Sequence, residues 1–197
     1  MQNKKTLRIT VTALMIALCY IAFTFLQIKI PTPVGYTSFH LGNTFCVLAA
    51  LLLGGPLGGI AGAIGMGIGD LLDPIYVVMA PKTIILKLGI GLVTGYFAHH
   101  VFKINQKEGK DFKKAVVISC TAGMIFNLIG ETLLSYLYYL ILLGDASQAI
   151  EYLAAAKFVT TAVNGVIAIL VASCLYFALY PKLKNNNTIQ ALAPKKK

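Results

Sequence analysis

The amino-acid sequence predicts an all-α integral membrane protein in which six transmembrane helices form one bundle and both termini are cytoplasmic. Hydrophobic residues make up 57% of the 197 residues and charged residues only 12%, whereas soluble domains average about 25% charged residues. The mean hydropathy is +0.77. Long apolar runs are separated by short polar breaks, and several are close to the roughly 20 residues that a helix needs to cross a bilayer.

The basic residues set the predicted orientation. The formal net charge of +10 would suggest a nucleic-acid partner in a soluble chain, but 13 of the 17 basic residues fall in three clusters at the edges of the apolar runs. The clusters are Lys4, Lys5 and Arg8; Lys103, Lys107, Lys110, Lys113 and Lys114; and Lys182, Lys184, Lys195, Lys196 and Lys197. Basic residues concentrate in the cytoplasmic loops of membrane proteins. We therefore expect all three clusters in the cytoplasm and no nucleic-acid partner.

Proline and glycine divide the first half of the chain. The first helix is predicted over residues 8–28, and an external loop at 28–38 follows it. A tight glycine and proline turn at 54–56 separates helices at 40–53 and 57–72. A second external loop at 73–81 leads to the fourth helix, at 82–99. A cleaved signal peptide is the alternative for the first helix, but no small-residue cleavage pattern follows it.

Two longer apolar runs predict helices at 114–143 and 157–180, which an external segment at 144–156 joins. Because the N-terminus and the 103–114 break are both expected inside, each half of the chain must cross the membrane an even number of times. Four crossings and then two satisfy this condition. The membrane domain is thus predicted over residues 1–182, with a basic cytoplasmic tail over 183–197.

Polar side chains at helical spacing predict a binding site in the outer half of the bundle. A carboxylate at membrane depth is costly and marks a functional site by default, and Glu131 is such a residue. Residues three or four positions apart lie on one helix face, and the helix directions in the predicted topology place three such stripes at a similar depth. They are Asn127, Glu131, Ser135, Tyr138 and Tyr139; Lys157, Thr160, Thr161 and Asn164; and Thr83, Lys87, Gly91 and Thr94. Such a lining suits a neutral, partly aromatic small molecule.

A purely structural interpretation of the same residues is the alternative. Glu131 and Lys87 could neutralise each other as a buried pair, while Asn127 and Asn164 hydrogen-bond between helices. Lys82 and Lys157 lie near the predicted interface, where long basic side chains extend to the polar surface.

Catalysis has little support in the sequence. The chain has no zinc-binding HExxH helix, no GxSxG nucleophile turn and no Walker motif. We expect no enzyme activity, no bound metal and no cofactor held by this chain. Energy for transport against a gradient would have to come from a partner or from an ion.

Several segments resemble the substrate-binding S components of energy-coupling factor (ECF) vitamin transporters, in particular the riboflavin-type group. They are Ala13–Ala17 in the first helix, Phe39–Asn43, the glycine-rich Leu53–Gly59 turn, Gly69–Asp70 and Ala80–Lys87. The resemblance implies a bacterial plasma-membrane protein that docks on a transmembrane coupling subunit and two cytoplasmic ATPases, which use ATP and Mg²⁺. It also implies that Ala13 and Ala17 contact the coupling subunit. The substrate site would include the loop after the first helix, with Tyr36 and His40, together with helices four to six.

The resemblance further implies that the protein binds a water-soluble vitamin or precursor outside and topples in the membrane to release it inside. A small aromatic compound such as pyridoxine or hydroxymethylpyrimidine fits the polar stripes, and riboflavin and cobalamin are also compatible. The alternative function is a self-sufficient ion-coupled carrier or channel that uses Glu131 as a proton relay. Uptake by the chain alone would distinguish this alternative from an S component.

Overall fold

A computed structural model describes residues 4–32, 35–143, 148–186 and 188–194, and it is predominantly helical. The helices are α1 (Lys4–Thr24), α2 (Gly42–Leu53), α3 (Gly55–Leu72), α4 (Ala80–Tyr96), α5 (Gly109–Leu143), α6 (Gln148–Asn185) and α7 (Thr188–Leu192). Five helical segments are long and apolar enough to cross a membrane, and α2 is a shorter apolar helix of 12 residues. The expectation of a helical membrane protein is thereby confirmed in its coarse form.

A two-stranded hairpin follows α1 where the sequence predicted a loop. Strand β1 (Gln27–Thr32) pairs antiparallel with β2 (Gly35–His40), and Gln27 faces His40 in the register. The first helix accordingly ends at Thr24, before the predicted end at residue 28. Ile28 and Ile30 alternate with polar residues, which is the period of a strand. Pro33 belongs to the loop that was predicted at 28–38, and it lies outside the described residues.

The α3 helix packs against α1, α2 and α4, because its glycines allow the backbones to come close. A β-carbon added at Gly91 of α4 would overlap the backbone of Gly59, and one added at Gly95 would overlap that of Gly55. Gly54 alone connects α2 to α3, with a φ of 91° that side chains other than glycine rarely adopt. The glycine series thus lets helices pack closely, as small residues do in membranes.

The last two long helices extend beyond their predicted bounds. The α5 helix begins at Gly109 instead of residue 114, and α6 covers Gln148–Asn185 instead of 157–180. Lysine and glutamate are good helix formers, so polar residues beyond the apolar runs continue these helices. The 35 residues of α5 correspond to about 52 Å at 1.5 Å per residue, which exceeds the hydrocarbon thickness of about 30 Å.

The connection between α4 and α5 consists of a π-helical turn at Phe97–Val101 and a 3₁₀ turn at Ile104–Gln106. The predicted C-terminal tail is partly helical, because α6 continues to Asn185 and α7 buries Ile189 and Leu192. Lys195, Lys196 and Lys197 lie outside the described residues.

Ion pairs and hydrogen bonds between different elements distinguish two ends of the bundle. At the first, which we call the hairpin end, Lys29 of β1 pairs with Asp73 after α3 at 2.5 Å, and Tyr138 of α5 donates to the Val78 carbonyl. At the second, which we call the basic end, Arg8 of α1 donates to the carbonyl of Leu53 at 3.1 Å and to that of Ala193 at 3.4 Å. The loop between α5 and α6 covers residues 144–147, which lie outside the described chain.

Candidate functional site

A cavity of about 60 Å³ lies at the hairpin end, and we call it the hairpin-end cavity. The hairpin and helices α1 to α6 all contribute side chains to its lining. Its polar and charged lining residues are Thr37, Ser38, His40, Asn43, Asp70, Tyr76, Lys82, Thr83, Lys87, Asn127, Glu131, Lys157, Thr160, Thr161 and Asn164. Phe23 and Met79 add apolar surface. Small-molecule pockets usually measure about 300–1,000 Å³, so the cavity must expand to admit a ligand of that class.

Glu131 lies at the centre of the ion pairs in this cavity. Its carboxylate accepts a short hydrogen bond from Lys82 Nζ, and Lys157 Nζ lies 3.6 Å from the same oxygen. Ser135, one turn further along α5, donates to the carboxylate at 3.2 Å and accepts from Lys82 at 2.8 Å. One carboxylate on α5 thus binds lysines from two other helices, Lys82 in the first turn of α4 and Lys157 in α6.

This pairing differs from both sequence-based interpretations. In the structural interpretation Lys82 and Lys157 extend to the interface, yet they are only 5% and 6% exposed. Lys87 was considered as the partner of Glu131, but its Nζ instead donates to the Asn127 side-chain oxygen at 3.2 Å. The helical period assigns side chains to a face, but it does not fix the relative rotation of neighbouring helices, which decides the partners.

Hydrogen bonds from α6 hold the hairpin over the cavity. The hydroxyl groups of Thr37 on β2 and Thr160 on α6 lie 2.6 Å apart. The Asn164 side chain accepts from the His40 backbone N–H at 3.1 Å and donates to the Ser38 carbonyl at 3.0 Å. Because Asn164 uses both ends of its amide on one strand, it fixes the position of β2 against α6.

Aromatic rings also line the cavity. The rings of Phe23 and His40 meet edge to face, with centroids 4.8 Å apart and an interplanar angle of 74°. Tyr76 also lines the cavity, and its ring lies 5.4 Å from the Lys29 ammonium. Aromatic rings pack favourably on one another, so these side chains can also pack against a flat ligand.

The structure places the predicted site residues in three groups. Those that line the cavity are Lys87, Asn127, Glu131, Lys157, Thr161, Asn164 and His40. Ser135 is not in the lining, but it hydrogen-bonds to two lining residues, Lys82 and Glu131. Tyr138 bonds to Val78 and Tyr36 is 39% exposed on the hairpin, so neither lies in the lining. The side chain of Tyr139 lies outside what the structure describes.

Sequence reasoning missed several lining residues. Asp70 is 2% exposed and Asn43 1% exposed, and both line the cavity. The signal for Asp70 was present, because a lone acid in the apolar, glycine-rich α3 is costly in a membrane. Lys82 had been assigned to the interface, and Phe23, Tyr76 and Met79 carry no polar signal at helical spacing.

The basic end holds a larger open groove of about 1390 Å³ beside α1. Its lining includes Lys4, Arg8 and Lys103 as well as Ala13 and Ile16. Ala13 and Ala17 are both exposed on α1. The predicted coupling residues thus belong to a helix face that no other part of the described chain covers.

The chemistry of the hairpin-end cavity follows from its described lining. The described residues contain no group of three or more histidine, cysteine or acidic side chains that could hold a metal ion. The lining supplies hydrogen-bond donors, hydrogen-bond acceptors, charged groups and aromatic rings. Such an arrangement can bind and orient a small molecule.

Comparisons with known proteins concern the chain as a whole. The family model described as ECF-type riboflavin transporter, S component, matches residues 3–181. A Pyrococcus woesei protein described as "Uncharacterized protein in gap 3'region" is 23% identical over 147 residues, which cover 75% of this chain and 87% of that protein. No solved structure matches the chain. The match over nearly the whole chain shows that this multi-pass membrane protein belongs to the family of ECF-type riboflavin transporter S components.

Proposed function

We propose that the protein captures a water-soluble vitamin or vitamin precursor in the hairpin-end cavity and delivers it across the plasma membrane. The observation that carries the proposal is the cavity itself, in which five charged side chains surround a small space beneath a hairpin. Ionisable residues inside a membrane domain are rare and mark substrate pathways or binding sites. Membership of an S-component family supports a vitamin as the solute.

The proposed orientation places the hairpin end outside and the basic end in the cytoplasm. Lys4, Arg8, Lys103 and Lys184 lie at or near the basic end, and basic residues favour the cytoplasmic side. A solute from outside would therefore enter past the hairpin, which is attached to α6 through Thr37 and Asn164. Both termini are cytoplasmic in this arrangement.

The proposed partners are a transmembrane coupling subunit and two cytoplasmic ATPases. The exposed Ala13 and Ala17 on α1 support a docking face for the coupling subunit, because small residues let helices pack closely in lipid. ATP and Mg²⁺ would be used by the ATPases, and this chain would hold no cofactor. Release inside would require the bound protein to tilt towards the basic end.

The proposed substrate is a small aromatic compound such as pyridoxine or hydroxymethylpyrimidine. From a cavity of about 60 Å³, a single ring requires less expansion than riboflavin does, and cobalamin would require a much larger opening. Rings can pack on Phe23 and Tyr76, while heteroatoms can bond to Asn127 and Thr161, all of which line the cavity.

Purification of the chain alone, followed by mass spectrometry of the released small molecules, tests the proposal directly. We expect a vitamin or precursor in about stoichiometric amount, together with uptake only when the ATPase partners are co-expressed. Uptake by the chain alone in vesicles would instead establish an ion-coupled carrier. Recovery of no ligand, with no thermal shift across a vitamin panel, would contradict binding.

A further inference from the structure

The charges around the hairpin-end cavity do not balance. Its described lining contains three lysines, Lys82, Lys87 and Lys157, and two acids, Asp70 and Glu131. Both Lys82 and Lys157 interact with the one carboxylate of Glu131. The cavity thus carries a formal excess of one positive charge, and burying uncompensated charge is costly.

Lys87 is the lysine through which a ligand could balance this excess. This side chain is 4% exposed, and its Nζ donates to the Asn127 amide oxygen at 3.2 Å. Among the described acids, none has a carboxylate oxygen within 4.0 Å of this ammonium. An ammonium group has three N–H donors, so Lys87 can bind an additional acceptor from the cavity.

An acceptor without a donor lies in the same lining. The side-chain oxygen of Asn43 is buried and has no hydrogen-bond partner among the described residues. Asn43 is 1% exposed, and it begins α2 beside the end of the hairpin. Buried polar atoms are nearly always paired, so this oxygen indicates a donor that the ligand supplies.

We propose that the substrate is a small heteroaromatic compound with two complementary groups, an acidic oxygen that binds Lys87 and an N–H or O–H group that donates to Asn43. The acidic oxygen is a carboxylate or an ionised ring hydroxyl. This inference rests on the proposed function and specifies the substrate class of its cavity. The aromatic ring packs against Phe23 and Tyr76, which line the same space.

The acidic oxygen also explains the excess charge. A ligand with a net charge of −1, such as nicotinate, brings the sum over the three lysines, Asp70, Glu131 and the ligand to zero. With a neutral ligand, the lining keeps its formal excess of one positive charge. Hydrogen bonds to charged groups are stronger than those between neutral groups, so discrimination between an acid and its neutral analogue is expected to be large.

Calorimetric titration of the purified full-length chain with matched ligands tests this inference. The pairs are nicotinate against nicotinamide, and pyridoxine against its 3-O-methyl ether. Riboflavin, hydroxymethylpyrimidine and cobalamin complete the panel. We expect an acidic member of one pair to bind about ten- to hundred-fold more tightly than its neutral partner. The Lys87→Met variant should lose this preference, and the Lys184→Met variant, whose charge lies on the exposed surface, should keep it.

The outcomes separate this inference from the proposed function. Equal or tighter binding of the neutral partners, or binding confined to riboflavin, hydroxymethylpyrimidine or cobalamin, overturns the acidic-oxygen inference and leaves vitamin capture intact. A preference for the acid that persists in folded Lys87→Met overturns the role of Lys87. If that variant does not fold, the comparison within each pair on the unmodified chain still decides. Absence of binding by every compound contradicts both proposals.

Discussion

Glu131 is the residue on which the buried charges depend. It accepts from Lys82 and Ser135 and pairs with Lys157 at 3.6 Å, so one side chain connects α4, α5 and α6. The sequence predicted that a carboxylate at this depth would have partners. It did not predict which lysines would be the partners. Lys82 and Lys157 lie at the edges of apolar runs, and helical periodicity does not show how neighbouring helices are rotated relative to one another.

Replacement of Glu131 by glutamine should destabilise the folded protein. Two buried lysines would lose their counterion, and removal of one partner of a buried ion pair typically costs about 3–5 kcal/mol. Thermal unfolding in detergent measures the change. Glu108→Gln is the matched control, because Glu108 pairs with Lys184 at 2.7 Å on the surface, where ion pairs contribute little. Equal unfolding temperatures for the two variants would contradict the central role of Glu131.

At the scale of elements, the hairpin is the feature that sequence reasoning missed. Pro31 in the stretch between the first two apolar runs suggested a loop, although Ile28 and Ile30 alternate with polar residues. The position of the hairpin depends on contacts with residues far away in the chain. Thr37 meets Thr160 and Ser38 meets Asn164, and no local pattern shows these contacts.

Loss of the Asn164 side chain should loosen the hairpin. Asn164→Ala removes two hydrogen bonds to β2, each contributing about 1 kcal/mol. We therefore expect about ten-fold or faster amide hydrogen exchange across β2, measured by mass spectrometry. Asn105→Ala provides a control at the basic end, where Asn105 lines the large groove. Unchanged exchange in β2 of the Asn164 variant would show that other contacts hold the hairpin.

The packing of α3 on α4 makes a second prediction for elements. Gly91→Ala places a methyl group on the Gly59 backbone, which forces the helices apart, and overpacking typically costs about 1–3 kcal/mol. Gly165→Ala is the control, because its added carbon would lie 3.5 Å from Met124, an ordinary contact. Unfolding temperatures should fall for Gly91→Ala and stay level or rise for Gly165→Ala, since alanine favours helices. A fall of the same size in both would contradict the close contact between α3 and α4.

Over the whole molecule, the sequence predicted the positions of the helices along the chain better than the identity of every residue in the cavity. Composition and the apolar runs were sufficient for a helical membrane protein, and the glycine and proline positions located most helix ends. The polar stripes also predicted that residues of α4, α5 and α6 share one cavity. The contributions of Asp70 and Asn43 to that cavity were not predicted, because each is an isolated polar residue without a partner at helical spacing.

The separation of a binding end from an exposed face on α1 yields a prediction for the intact transporter. Ala13 and Ala17 lie on the exposed surface of α1, and Ala13 borders the groove at the basic end, whereas the hairpin-end cavity is at the other end of the bundle. Ala13→Trp or Ala17→Trp should therefore leave ligand affinity within about two-fold of the unmodified chain. The bulky ring would prevent close helix packing with a coupling subunit, so uptake with the ATPase partners should stop. Ile129→Trp, on an exposed position of α5, should retain both binding and uptake. Loss of ligand binding in the α1 variants, or full uptake by them, would show that this face is not the one that docks.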